Sequence, residues 1–316
     1  MKFDINNPLN GLNAPNPRIW DAHTHIWNAK DYRTLKKWNT LFGIQKIMGI
    51  AQPEVRKNLE QTHQANNIVF AYYLPFNAFA DINAQALLDS VDEAHTLEYK
   101  IVKMWFGPRF LDFSQSQKSF RIDHPEFEPV FSRIEEYGLI LDIHIADPDM
   151  WYQTKYLDTK RYRTKDQAIN EFISVLEKHS SIRTIGVHFG CLPEHLEQLE
   201  KMFERFSNYY IDTAATRWMI RELGKDPNKS REFFIKYKER ILFATDLSVG
   251  WQDRSDDYFA GRLWGQRLFW ETNVQNVELP FPDEDSPNGE TYINGLNLPQ
   301  NVLNHLYWKN AESFFG

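Results

Sequence analysis

Arg18-Ile19-Trp20-Asp21-Ala22-His23-Thr24-His25-Ile26 is an apolar-rich run that ends in two histidines one residue apart. In an extended strand alternate side chains share a face, so His23 and His25 project together. Neutral imidazole is the commonest nitrogen ligand of divalent metals, and a pair on one strand face can begin a metal site. Whether it does depends on further ligands at the ends of later strands. Without them, His-x-His is equally a pair of polar residues on a surface strand.

Later strands do supply such residues. Short apolar runs at 19–26, 45–51, 68–74, 101–106, 139–146, 184–189, 209–213 and 241–246 alternate with segments of helical periodicity such as Ala84-Leu87-Leu88-Val91 and Leu196-Leu199-Met202-Phe203. Eight strands in alternation with helices predict parallel βα units, and their span suits a (β/α)8 TIM barrel, an α/β fold. The alternative, an open doubly wound sheet, usually carries a glycine-rich phosphate turn after its first strand, and none is present. The sequence predicts one domain over 1–316, with a barrel core at 18–248 and a C-terminal loop and helix extension at 249–316. Within that extension, 271–299 is rich in Pro, Asn, Asp and Gly and reads as a surface loop, a lid or an oligomer arm. A last helix is expected at 300–315.

Strand parity then selects the inward residues. In Leu139-Ile-Leu-Asp-Ile-His-Ile145 the odd positions are aliphatic, leaving Asp142 and His144 for the interior. The same argument turns His188 inward in strand six and Asp246 in strand eight. On strand four it turns Lys103 and Trp105 inward. A buried lysine needs a partner or a lowered pKa. The carboxyl ends of barrel strands converge on one mouth, where active sites sit. His23, His25, His144, His188 and Asp246 are therefore expected to meet as a catalytic metal site with a position left for water.

The whole pattern resembles the amidohydrolase superfamily, in the branch of metal-dependent hydrolases and decarboxylases. The matching pieces are Asp21-Ala-His-Thr-His25, Ile140-Leu-Asp-Ile-His144, Gly186-Val-His-Phe-Gly190 and Leu242-Phe-Ala-Thr-Asp246. The ending Leu298-Pro-Gln-Asn-Val-Leu with Asn310-Ala-Glu312 also matches. The resemblance implies His23, His25 and His144 as metal ligands and Asp246 as the fourth ligand or proton shuttle. His188 would stand beside the metal and stabilise charge. In binuclear relatives a strand-four lysine is carboxylated and bridges two metals. Lys103 raises that option, although one metal, Zn2+ first, is favoured.

The leading expectation is a hydrolase that activates water against a lactone, amide or ester. Non-oxidative decarboxylation of an aromatic or enoic acid is the alternative, and a metal-binding protein without catalysis is the third reading. Lys103, Trp105, Arg109 and Arg217 are the substrate-binding candidates. The arginines suit an anionic, carboxylated substrate, because a guanidinium binds a carboxylate with two parallel hydrogen bonds. The cationic aromatic loop from Trp151 to Lys165 suits such a substrate too, or is a charged surface over packed rings. A net charge of −7 argues against nucleic-acid binding. A single cysteine, Cys191, excludes an internal disulfide. No apolar run is long enough to cross a bilayer, and the start lacks a secretory pattern. Cytoplasmic residence is expected, with a homo-oligomer left open.

Overall fold

The structure is a computed structural model and describes residues 1–113 and 121–316. The strands are parallel and alternate with helices in the order expected of the TIM-barrel class. The chain gathers into two compact units, one of residues 1–69 with 211–316 and one of residues 70–210.

In the 70–210 unit, β3 (Ile68–Tyr73), β4 (Ile101–Trp105), β5 (Ile140–His144) and β6 (Thr184–Gly186) pair in sequence order. Trp105 lies opposite His144 in the register. Both faces of β4 and β5 are buried, as parallel strands covered by helices require. Helices Ala84–Thr96 and Glu128–Glu136 pack on each other. Helix Lys165–Lys178 starts with a capping box between Thr164 and Gln167.

Strand six is shorter than 184–189. The chain leaves it at Gly186, where a Cβ would stand 2.0 Å from the Tyr209 hydroxyl. It then turns left-handed, with φ of 54°, 61° and 60° at His188, Phe189 and Cys191. Alternation therefore does not place His188; a left-handed turn does. Such backbone costs about 1 kcal/mol or more per non-glycine residue and gathers at functional sites.

In the other unit, β1 (Ile19–Ile26) pairs on one side with β2 (Ile44–Ile50). On its other side lies β9 (Leu247–Val249). Strand β7 (Tyr209–Asp212) pairs with β8 (Ile241–Leu242). Regular strand eight ends at Leu242, but the chain continues beside β1. Phe243 O accepts from Ala22 N at 2.8 Å, and Asp246 N donates to His23 O at 3.0 Å. First and last strands are thus neighbours, the seam a barrel needs.

Helix Asp256–Glu271 is buried almost all round, with Trp264 and Trp270 fully enclosed. The C-terminal helix widens into a π turn at His305–Lys309, and Leu306 O there accepts from Phe243 N at 2.9 Å. Asn310 Nδ2 ties the same helix to Lys238 O and Ile241 O, at 2.6 and 2.7 Å.

The 271–299 stretch is held by hydrogen bonds to its own unit. It forms a short antiparallel hairpin, Val277–Glu278 with Tyr292–Ile293. Leu296 N and Leu298 N donate to Phe269 O and Trp270 O, at 2.7 and 2.9 Å. Asp283, buried, pairs with Arg221 at 2.6 Å. A backbone bonded along its length is a strap across its unit.

Candidate metal centre

Alternation brings His23 and His25 of β1 together, and the loop after β8 brings Asp246 to them. His23 Nε2 and His25 Nε2 stand 3.4 Å apart. Asp246 Oδ1 lies 3.7 Å from the first and 3.5 Å from the second. Ligand atoms about 2.0–2.1 Å from a tetrahedral ion are separated by about 3.3 Å, so this triangle fits one divalent cation. His23 Nδ1 faces Asp212 Oδ2 at 3.2 Å, with both groups buried. A carboxylate on the far ring nitrogen fixes the tautomer that leaves Nε2 free as a ligand. His25 stacks on Trp27 at 5.5 Å with ring planes 1° apart. Trp27 Nε1 donates to Ser248 Oγ at 3.0 Å.

The Asp246 backbone is left-handed, φ 57°, a conformation that Asp tolerates better than most residues. Asp21 imposes it. Oδ1 of this fully buried carboxylate accepts from His23 N and Thr245 N, both at 3.0 Å. Oδ2 accepts from Thr24 Oγ1 at 2.9 Å and Thr245 Oγ1 at 2.5 Å. Burial pushes the Asp21 carboxyl up to about 7, against the pull of those hydrogen bonds. Gln266 Nε2 holds Ala244 O at 2.9 Å from the helix beneath. Asp246 thus owes its place to a clamp of Asp21 and Thr245 rather than to alternation in strand eight.

In the 70–210 unit, His144 Nε2 lies 3.1 Å from Asp147 Oδ1. The His144 and His188 rings meet edge to face at 4.6 Å. Asp147 Oδ2 accepts from the Tyr156 hydroxyl at 2.8 Å. Burial first, and then Asp147, raise that phenol well above its ordinary value. Lys103 Nζ pairs with Asp142 Oδ2 at 3.3 Å, both buried. Carboxylating Lys103 would put a second anion against a buried carboxylate.

Trp105 packs against Phe76 and Phe113, with centroids 5.4 and 6.0 Å away. Gly107 lies between it and His144: a Cβ there would be 3.0 Å from His144 Nε2 and 3.1 Å from Trp105 Nε1. Gly107→Ala is therefore expected to displace the His144 ring and lower turnover about tenfold, since small misplacements of reacting groups are costly. Steady-state kinetics beside an unchanged circular dichroism spectrum check this; full activity would mean that His144 has room to shift.

Arg109 is exposed, 5.6 Å from the Trp151 ring centroid. Arg217 Nη1 donates to Pro282 O at 3.3 Å. The 151–165 loop is a packed aromatic cluster, and several of its cations have partners within the unit. Lys165 binds Asp149 and Glu194 at 2.7 and 3.0 Å; Arg163 pairs with Glu171. Cys191 is buried, its thiol pushed up to about 12, which makes it a packing residue. His179 is buried against Glu128 and Glu135 at 3.1 Å each.

On β1 parity pointed to the two histidines and gave no weight to Asp21, which holds Thr24 and Thr245. Asp212 ends β7 as Asp246 follows β8, a signal visible in the sequence. Asp147 and Tyr156 lie beyond the strand, where alternation says nothing.

The sequence matches the amidohydrolase family over residues 20–316. The chain belongs to that family. No curated protein matches it in sequence. Among solved structures, an amidohydrolase candidate from Staphylococcus aureus superposes with a TM-score of 0.52 at 14% identity, covering 94% of this chain and 99% of its own. A 5-carboxyvanillate decarboxylase from Novosphingobium aromaticivorans, complexed with manganese, gives 0.50 at 11%, covering 94% and 96%. A 2-pyrone-4,6-dicarboxylic acid hydrolase candidate from Acinetobacter baumannii gives 0.50 at 8%, covering 95% and 100%. At such identities they show that this amidohydrolase-family chain shares their fold. Among the described residues, no helix is long and apolar enough to cross a membrane.

Proposed function

We propose that this amidohydrolase-family chain is a metal-dependent hydrolase of a small organic substrate, a lactone, amide or ester. The carrying observation is the triangle of His23 Nε2, His25 Nε2 and Asp246 Oδ1, with sides of 3.4, 3.7 and 3.5 Å. Zn2+ is the ion we assign, on the tetrahedral spacing. We assign His144 as a further ligand on its place at the carboxyl end of β5 and the family resemblance.

A bound divalent ion supplies Lewis acidity, which brings the pKa of water toward about 7. Asp246 takes the proton from the attacking water on a carboxylate oxygen and passes it to the leaving group. His188 donates to the oxygen on which charge develops. Asp212 keeps His23 in its ligand tautomer, and Lys103, Trp105, Arg109 and Arg217 are the candidates for binding the rest of the substrate.

The test is to strip the protein with a chelator, reload it with Zn2+ or Mn2+, and screen lactones, amides, esters and aromatic acids. One metal per chain, with hydrolysis restored on reloading and lost in His23→Ala, is expected. Full turnover by metal-free protein overturns the reading. Carbon dioxide released from the best substrate replaces hydrolysis with decarboxylation, the chemistry of the Novosphingobium relative.

A further inference from the structure

A group of cations beside the metal triangle is not used by it. Arg262, half-buried on helix Asp256–Glu271, has its guanidinium 4.0 Å from the Tyr258 ring centroid and 4.3 Å from that of Phe281. Arg254 stands 4.4 Å from the same Tyr258 ring. The Arg262 hydrogen bond among the described residues runs from Nη1 to Tyr258 O at 3.3 Å. No carboxylate among them forms an ion pair with Arg217, Arg254 or Arg262. Burial, with Arg217 and Arg254 adding like charge, pushes Arg262 down to about 10.

This group is wired to the metal triangle. The Tyr258 hydroxyl accepts from Ser248 N at 3.2 Å, which leaves its own hydrogen to donate. Ser248, two residues beyond Asp246, accepts from Trp27 Nε1 at 3.0 Å, and Trp27 stacks on His25. Asp246 is the carboxylate whose charge Arg262 feels, but its oxygen faces the histidine pair. A half-buried guanidinium whose hydrogen bond among the described residues is to one backbone carbonyl, beside two more cations, offers its fork to an oxyanion.

We propose that Arg254, Arg262 and the Tyr258 hydroxyl, with Arg217 adding charge, form a subsite for an oxyanion that the substrate carries apart from its reacting bond. The preferred substrates then carry a second anionic group away from the bond that reacts. This rests on the metal-dependent reading of the same site.

Isothermal titration of the metal-loaded full chain with isophthalate and with benzoate tests it, with metal content measured on the same samples. Wild type should bind isophthalate more tightly than benzoate. Arg262→Gln should weaken isophthalate about ten- to a hundredfold, the range for a charged double hydrogen bond, and leave benzoate little changed. Arg254→Gln, at an exposed residue whose loss does not threaten folding, should weaken isophthalate several-fold. Equal affinity for the two acids, isophthalate binding untouched by both substitutions, or no isophthalate binding at millimolar concentration overturns the subsite. A chain that takes up no metal overturns the hydrolase reading instead, and the Arg262→Gln difference still decides the subsite because those contacts need no ion.

Discussion

Asp246→Asn is expected to lower turnover about a hundred- to ten-thousandfold, the usual contribution of a positioned general base. The substitution is chosen for its backbone. At φ 57° an asparagine is as comfortable as an aspartate, whereas an alanine adds strain at a position the rest of the loop depends on. The amide keeps the size of the side chain and removes the charge and the proton acceptor. His23 Nε2 and His25 Nε2, 3.4 Å apart, stay in place, so the variant should still take up metal, more weakly. The thermal midpoint should stay near that of wild type. Turnover, metal content and melting on one preparation check this, and a variant with full turnover removes Asp246 from proton transfer.

Asp21→Ala should have the second large effect, and it falls on the scaffold before the chemistry. Four donors converge on that carboxylate: His23 N, Thr245 N, Thr24 Oγ1 and Thr245 Oγ1. Alanine leaves all four without that acceptor in a fully buried setting. A loss of about 3–5 kcal/mol is expected, because each buried donor left without its acceptor costs about 1–3 kcal/mol and the two hydroxyls can turn to other acceptors. The clamp on Thr245 goes with it, so Asp246 should lose its left-handed seat and the protein much of its metal affinity. Asp21→Asn, which keeps one carbonyl acceptor but turns an N–H2 toward donors, should fall between. Denaturant midpoints and metal titrations separate the outcomes. If Asp21→Ala melts within about 1 kcal/mol of wild type and binds metal normally, the clamp is not what holds the loop.

The parts of this site legible in the sequence are those that obey a period. On β1 the pairing of His23 with His25 needs only a pleated strand, and β1 runs over the expected residues. On β4 and β5 the same rule marked Lys103, Asp142 and His144, and the buried Lys103 has the partner that burial demands. It failed where the backbone stops being a strand. His188 lies in a left-handed turn after a three-residue β6, and Asp246 follows a two-residue β8. Alternation pointed to both His188 and Asp246, but neither is placed by pleating. The Pro, Asn and Gly content of 271–299 suggested a surface loop, a lid or an oligomer arm, but composition does not tell whether loop backbone groups meet water or protein, and here many meet protein.

The sequence by itself determined the class of the fold and the donors offered to a metal, because hydrophobic period and residue chemistry are local properties of the chain. Only the tertiary structure decided how those donors are held. Asp212 behind His23, Asp21 over Thr245 and Asp142 on Lys103 are contacts between segments far apart in the chain. Such contacts carry no periodic signature; they exist only once packing has removed water and made each buried charge find, or lack, a partner.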